Sequence, residues 1–392
     1  MEQLKKVYEL SKKKFEIHMK CTNEELKECA GVTDGRYYTK DAGQPLSSMW
    51  CWTTSFVTGQ APIFYQQDHD SRYLKWANEF EKYYHNKMFE TPMESMHDIG
   101  FLYCPYSVMM YKLTGDKHHR EDALKAADEL AKRFDIKGQY IDAWGRMDDD
   151  EREGRAIIDC MMNISLLMWA YEETNHTFYR DIAVAHAETT LKNFVREDWS
   201  IAHSFDFDRK TGKLLRENNG CGYDNGTYWA RGTAWSIYGY AILARHTKGD
   251  KYKEVALNIL KEYRKHINDS CIPVWDFRLP KEMPAKICGT GNEITTWDET
   301  KAENCIYNVD TSACVITACG AYELYKLTND EELYDFVLKS VKAVCKEPYI
   351  NYDENIEGLL GYQNGQMHYT TYGDYYLIEL LSRLLYNTET CW

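Results

Sequence analysis

Along this chain, segments with the spacing of amphipathic helices alternate with segments that are apolar nearly all round. The amphipathic ones lie near 4–18, 71–86, 119–133, 177–195, 251–267 and 331–345; the apolar ones lie near 50–66, 105–114, 157–173, 232–247, 311–327 and 373–386. Tyr73, Trp76, Phe80 and Tyr83, or Tyr252, Val255, Ile259 and Tyr263, recur at the helical period, which buries one face and wets the other. A helix with no polar face must instead be enclosed on every side. Repeated hairpins bury by stacking what no single hairpin can bury. An inner ring of apolar helices inside an outer ring of amphipathic ones satisfies both patterns. The expected fold is all-α, an (α/α)6 barrel, with residues 1–392 as one domain.

Connector lengths then locate a site. Turns from apolar to amphipathic segments are short (QQDHD, LTGD, ETNH, TKGD, LTND), and their Asp or Asn is placed to cap the next helix. The reverse connectors, about 19–49, 87–104, 134–156, 196–231, 268–310 and 346–372, are long. In such a barrel the long ones all emerge on one rim, and long structureless connections in a compact domain are usually functional. Aromatic and charged residues there, and at the starts of the apolar helices, should line one pocket.

Composition narrows what that pocket takes. A net charge of −14 disfavours nucleic acid or an anionic membrane as partner, and leaves any anionic substrate dependent on a few local cations. The 31 Tyr and 11 Trp exceed what a core needs and suit a cleft that stacks on sugar rings. The 13 Cys are odd in number and form no C-x-x-C pair. With an amphipathic N-terminal helix in place of a signal peptide, they indicate reduced thiols and a cytoplasmic location. No ligand spacing among the 12 His marks a metal site, and no metal or cofactor is expected.

One run carries the chemistry. Arg155 to Thr174 reads RAIIDCMMNISLLMWAYEET, an apolar helical run with a single acid, Asp159, in its first turn. A second lone acid, Asp98, stands in HDIGFLY ahead of the neighbouring apolar helix. Carboxylates are almost never buried unless paired. Capping a helix N-terminus is the ordinary use of such an Asp; two of them at adjacent inner-helix entrances point instead to acid/base work. A helix end favours the ionised form, whereas an apolar wall raises the pKa. The acids Asp148, Asp149, Asp150 and Glu151 read as solvated loop charges. Trp52 in the first apolar helix, Trp144 in a polar loop, and Trp229 and Trp235 in YWARGTAW are stacking candidates. Arg231 is the best candidate for gripping a substrate carboxylate, because guanidinium binds one bidentately. His97 and His203 offer hydrogen bonds.

The blocks HDIGFLY, AIIDCMMNISLLMWAYEET, GYDNGTYWARGTAWSIYGYAI, NVDTSACVITACGAYEL and TTYGDYYLIELL, in order from about residue 50 to 386, resemble the unsaturated glucuronyl hydrolases of glycoside hydrolase family 88. The resemblance implies that Asp159 is the catalytic acid/base and Asp98 a second essential Asp. It places His97, Trp52, Trp144, His203, Trp229, Arg231 and Trp235 where family members contact the sugar. It implies as substrate an oligosaccharide ending in a 4,5-unsaturated uronic acid, hydrated at its C4=C5 enol ether, with Asp98 raising the pKa of Asp159 by like-charge repulsion. A departure at Cys221, near where some relatives carry a substrate-contacting Gln, bears on substrate preference. The alternatives are an unsaturated rhamnogalacturonyl hydrolase, an N-acylglucosamine 2-epimerase-like isomerase working through inner-helix histidines, and a non-catalytic oligosaccharide-binding barrel.

Overall fold

The computed structural model describes residues 1–20, 32–33, 52–149, 152, 154–218, 220–222, 225–226, 228–267, 269–278, 309–363 and 368–392. Outer and inner helices alternate along the chain. Glu2–His18 (α1) precedes Ser55–Thr58 (α2) and Gln60–Asp68 (α3); Ser71–Asn78 (α4) and Glu81–Phe89 (α5) precede Ile99–Tyr103 (α6) and Met109–Thr114 (α7). Lys117–Lys132 (α8) precedes Cys160–Asn163 (α9) and Ser165–Thr174 (α10), and Thr177–Asn193 (α11) precedes Ala230–Thr247 (α12). Asp250–His266 (α13) and Thr311–Thr328 (α14), then Glu331–Val344 (α15) and Thr371–Tyr386 (α16), complete the series. The inner members close a circuit: α16 packs on α2 and α3, α2 on α6, α6 on α9, α9 on α12, α12 on α14, and α14 on α16. Outside them α1, α4, α8, α11, α13 and α15 back onto α16, α3, α10, α10, α12 and α14. This is the (α/α)6 barrel. Among the described residues no helix is long and apolar enough to cross a membrane.

Several boundaries differ from the sequence reading, each for a local reason. The second inner helix begins at Ile99 rather than near 105, because a π-helical turn over Cys104–Val108 absorbs Pro105 and its missing N–H. The first begins at Ser55, so Trp52 lies in the turn before it rather than on it. The run from Arg155 starts as a strand, Gly154–Ile157 (β4), and turns helical only at Cys160, since a short apolar run serves either state until a partner selects one. That partner is Ser204–Phe207 (β5), itself paired with Leu214–Asn218 (β6). The third and fourth long connectors are therefore not structureless; the third also holds a hairpin of Phe134–Asp135 with Tyr140–Ile141. The last connector is joined to the first by pairing of Val32–Thr33 with Tyr369–Thr370. Most of connectors 19–49 and 268–310, and the acids Asp150 and Glu151, lie outside the described residues.

The short turns share one construction. Inner helices end on a left-handed residue: His69, Gly115, Asn175, Lys248, Asn329 and Asn387. Thr114, Thr174, Thr247 and Thr328 each donate back to the carbonyl four residues earlier. Asp70, Asp116 and Asp330 then cap the next helix by accepting from a backbone N–H two residues on. His176 and Gly249 occupy the same position without a side-chain cap, and Asp250 lies one residue inside its helix.

At the opposite end α9 is clamped between glycines. A Cβ on Gly100 would stand 2.5 Å from the Asn163 backbone, and one on Gly239 would stand 2.5 Å from the Met161 carbonyl oxygen. Backbones meet directly there, which fixes the height of α9 and of Asp159 at its start. Gly239→Ala should lower stability by about 1–3 kcal/mol through overpacking, read as an earlier denaturant midpoint. An unchanged midpoint would mean that α9 and α12 can part without loss.

Candidate active site

Asp98 and Asp159 occupy the cap positions of α6 and α9, yet neither side chain accepts a capping hydrogen bond. The ordinary explanation for an Asp at these positions is thereby removed. Asp98 is buried, and Asp159 is partly open but holds a buried Oδ2 with no hydrogen-bond partner. One turn past Asp159, the buried Asn163 ties the two entrances together. Its Nδ2 donates to the Asp159 carbonyl at 3.1 Å and reaches Asp98 Oδ1 at 3.5 Å, and its Oδ1 accepts the Phe101 N–H at 2.7 Å. An amide has both donor and acceptor, so a single side chain serves a helix start and a carboxyl group at once.

Burial is the main cause of both pKa shifts. It pushes Asp98 up to about 8, with the charge of Asp159 adding and Asn163 and Arg133 opposing. Asp159 is pushed up by burial to about 6, and the Arg231 guanidinium opposes. Repulsion between the two acids acts on both alike, and at each of them burial is the larger cause. At pH 7 Asp98 keeps its proton while Asp159 is mostly ionised, reaching half-ionisation near pH 6.

The two histidines are neutral. Burial, with Arg133, His186 and His203 adding, holds His97 well below its ordinary range, and its Nε2 lies 3.4 Å from Asp98 Oδ1. Burial and then Arg231 and Arg155 hold His203 at about 3. Its Nδ1 accepts the Gly220 N–H at 2.8 Å, which leaves the proton on Nε2. Its carbonyl accepts the Ile158 N–H at 3.0 Å, so the sheet that holds His203 also holds the approach to Asp159.

Opposite the acids stands a cation between aromatic faces. The Arg231 guanidinium lies over Trp229 at 4.7 Å and over Tyr372 at 5.1 Å, and Nη1 donates to Asp310 Oδ2 at 2.6 Å. Asp310 Oδ1 accepts the Ala313 N–H at the start of α14, which anchors this arm. Trp52 stacks on Tyr372 at 5.0 Å, and His203 meets Trp229 edge-on at 5.0 Å. Trp235 is fully buried against Phe101 and Tyr376; its Nε1 has no partner and its dipole favours the ionised form of Asp159. Trp144, 41% exposed, is the outermost candidate: Arg155 covers its ring at 5.2 Å, and the preceding Ala143 accepts the His97 N–H at 3.0 Å. Cys221 lies within the field of Asp159, Arg231 and Asp98, and burial pushes its thiol up to about 12.

The structure therefore brings Asp98, Asp159, His97, His203, Trp52, Trp229, Arg231 and Trp235 around one centre, with Trp144 at its edge. Sequence reasoning missed Asn163, Tyr372 and Arg133. Asn163 had a signal, an amide four residues after Asp159 in an apolar run. Tyr372 stood inside TTYGDYY but was not singled out. Arg133 reads as a cation at a helix end, yet it is buried and donates to the carbonyls of Asp142 and Ser95, both at 2.6 Å, and of Gly145 at 3.1 Å, which joins two rim loops.

Comparison with known proteins identifies the family. The Glycosyl Hydrolase Family 88 profile matches residues 26–270. An unsaturated chondroitin disaccharide hydrolase of Streptococcus pneumoniae is 29% identical, covering 90% of this chain and 87% of that protein. An unsaturated glucuronyl hydrolase of Bacillus sp. strain GL1 is 31% identical, covering 85% and 86%. A solved unsaturated glucuronyl hydrolase variant with dGlcA-Glc-Rha-Glc superposes with a TM-score of 0.82 at 27% identity, covering 98% of this chain and 96% of the other. The chain belongs to glycosyl hydrolase family 88 and is an enzyme of its unsaturated glucuronyl hydrolase type.

The carboxyl titrations are open to test by carbon-13 NMR. Asp98 should titrate near 8 and Asp159 near 6. Asp159→Asn should move Asp98 downward, since removing a neighbouring negative charge removes one reason to hold the proton. An unmoved Asp98 in that variant would show the two groups to be uncoupled.

Proposed function

We propose that this family 88 enzyme removes the 4,5-unsaturated uronic acid from the non-reducing end of lyase-generated glycosaminoglycan disaccharides. The observation that carries the reading is the uncapped pair at the mouths of α6 and α9, one acid poised near neutrality beside one that keeps its proton. The names of the relatives, which specify chondroitin disaccharides and unsaturated glucuronyl groups, supply the substrate class.

The C4=C5 bond of such a sugar is an enol ether polarised by the ring oxygen. Protonated Asp159 delivers a proton to C4, and positive charge develops at C5 and the ring oxygen. The carboxylate thus formed takes a proton from a water that adds at C5. The resulting hemiketal opens and expels the leaving sugar without attack at the anomeric carbon. A group that acts first as acid and then as base works best with a pKa near the working pH, and burial opposed by Arg231 supplies that balance. Asp98, protonated, serves as a hydrogen-bond donor to a sugar hydroxyl. His97 and His203, both neutral, donate or accept without adding charge. Arg231 is the cation for the uronate carboxylate, held in place by Asp310 and two rings. Trp52, Trp144 and Trp229 offer faces to the flat unsaturated ring, and the neighbouring Trp235 favours the ionised form of Asp159.

We read 1–392 as one catalytic domain, because α16 packs on α2 and the first connector pairs with the last. A cytoplasmic location is in keeping with the described cysteines, all of which are free.

The unsaturated uronate absorbs in the near ultraviolet and loses that band on hydration. The protein should bleach unsaturated disaccharides from chondroitin, hyaluronan or heparin, and Asp159→Asn should lower kcat by roughly 10²–10⁴-fold with binding retained. Inactivity on all such disaccharides would overturn the function, and an active Asp159→Asn enzyme would overturn the mechanism. Because the acid must be protonated, kcat/KM should fall about tenfold per pH unit above about 6. Arg231→Lys keeps the charge beside Asp310 but loses the fork, and should raise KM about tenfold with kcat little changed. A loss confined to kcat would argue against a uniform grip on the carboxylate.

A further inference from the structure

Away from the rim, on the outer layer, helices α5 and α8 pack against each other. Glu81 and His85 are four residues apart on α5, hence on one face. Asp122 of α8 lies opposite, and one potential ligand atom from each of the three is within 4.8 Å of the others. His85 Nδ1 already touches Asp122 Oδ1 at 2.9 Å. The histidine ring stacks on Phe89 with centroids 4.4 Å apart, which limits its rotation. An interhelical hydrogen bond accounts for that one contact and no more. Asp122 is fully buried, and its second oxygen, Oδ2, is buried without any hydrogen-bond partner. An orphaned carboxylate oxygen in such a place is costly, and a third potential ligand, Glu81, stands beside it. Nothing in the hydrolysis chemistry uses any of the three.

We propose that Glu81, His85 and Asp122 form a binding site for a divalent first-row transition cation that cross-links α5 and α8. The donor set decides the class of ion. An imidazole nitrogen with two carboxylates suits Zn²⁺, Co²⁺, Ni²⁺ or Mn²⁺, whereas Mg²⁺ and Ca²⁺ take oxygen ligands. The His85 side chain is 42% exposed, so solvent can complete the coordination shell while Asp122 anchors the ion from the buried side. On binding, His85 Nδ1 and Asp122 exchange their mutual hydrogen bond for bonds to the ion, and any proton between them passes to solvent. The site then acts as a clasp between neighbouring hairpins, separate from the sugar chemistry.

The test is titration of the full, metal-stripped protein with Co²⁺ and with Zn²⁺, by calorimetry and visible spectroscopy. One equivalent of Co²⁺ should bind with weak d–d bands and without thiolate charge-transfer absorption, and the melting temperature should rise with the ion. His85→Ala changes a partly exposed side chain and should weaken binding at least about tenfold and abolish the thermal shift. Glu81→Gln, a milder change, should weaken binding without altering the melting temperature of the metal-free protein. Disaccharide hydrolysis should be the same in both variants. No saturable binding at millimolar ion, thiolate bands in the cobalt spectrum, or equal affinity in His85→Ala would each overturn the site.

Discussion

Two carboxyl groups buried within each other's field do not both ionise at neutral pH, and the rim of this barrel is arranged around that constraint. Asp98 and Asp159 open adjacent inner helices and neither is spent on capping. Asn163 sets their relation, since it bonds the Asp159 carbonyl, the Phe101 N–H and the neighbourhood of Asp98 from one position. The glycines on either side of α9 make that position rigid, because backbone presses on backbone at Gly100 and Gly239 with no side chain to yield. Where a proton resides in the site follows from where two helices touch.

Below the acids the barrel axis is filled with rings. Trp235 packs on Phe101 and Tyr376, and Trp392 stacks on Tyr376 at 5.9 Å and meets Phe101 edge-on at 6.0 Å. Trp392 Nε1 donates to Glu379 at 2.9 Å, Tyr238 donates to the same carboxylate at 2.6 Å, and Arg383 joins Glu323 at 2.6 Å. The centre of the molecule beneath the site is thus packed with aromatic side chains, and Glu379, Glu323 and Arg383 are paired among themselves and with the rings. Desolvation at the rim, the first cause of both raised carboxyl pKa values, depends on this floor.

What the sequence displayed was periodicity and incongruity. Helical hairpins repeat at a spacing that any window detects, and Asp98 and Asp159 are conspicuous because an acid in an apolar run has few bland explanations. What it hid was everything set by contact between distant segments. Strand β4 needs residues 204–207 to declare itself, and until then Arg155–Ile157 reads as helix. Pro105 marks a helix start unless a π turn carries it inside. Asn163 and Tyr372 look like core residues of amphipathic or apolar runs, and only their partners reveal them. Which of the two acids holds its proton more tightly was hidden for the same reason, since it depends on burial and on which group meets the cation. Glu81, His85 and Asp122 belong to one cluster only once α5 lies against α8.

The two acids differ, besides their burial, in the arginines near them. Arg231 reaches Asp159 while pinned by Asp310 and by the faces of Trp229 and Tyr372, so its charge stays close to the carboxylate and opposes desolvation. Arg133 is the corresponding cation for Asp98, but its donors are committed to the carbonyls of Ser95, Asp142 and Gly145, and its effect on Asp98 ranks below those of burial, Asp159 and Asn163. Both acids pay for burial, and Asp159 is compensated more than Asp98. Stronger compensation would lower the Asp159 pKa further and leave almost none of the protonated form near neutral pH. None would leave it like Asp98, holding a proton that it does not give up. The placement of Asp310, which fixes Arg231 from the far side, therefore helps to set Asp159 apart from Asp98, as the proposed acid-then-base role of Asp159 requires.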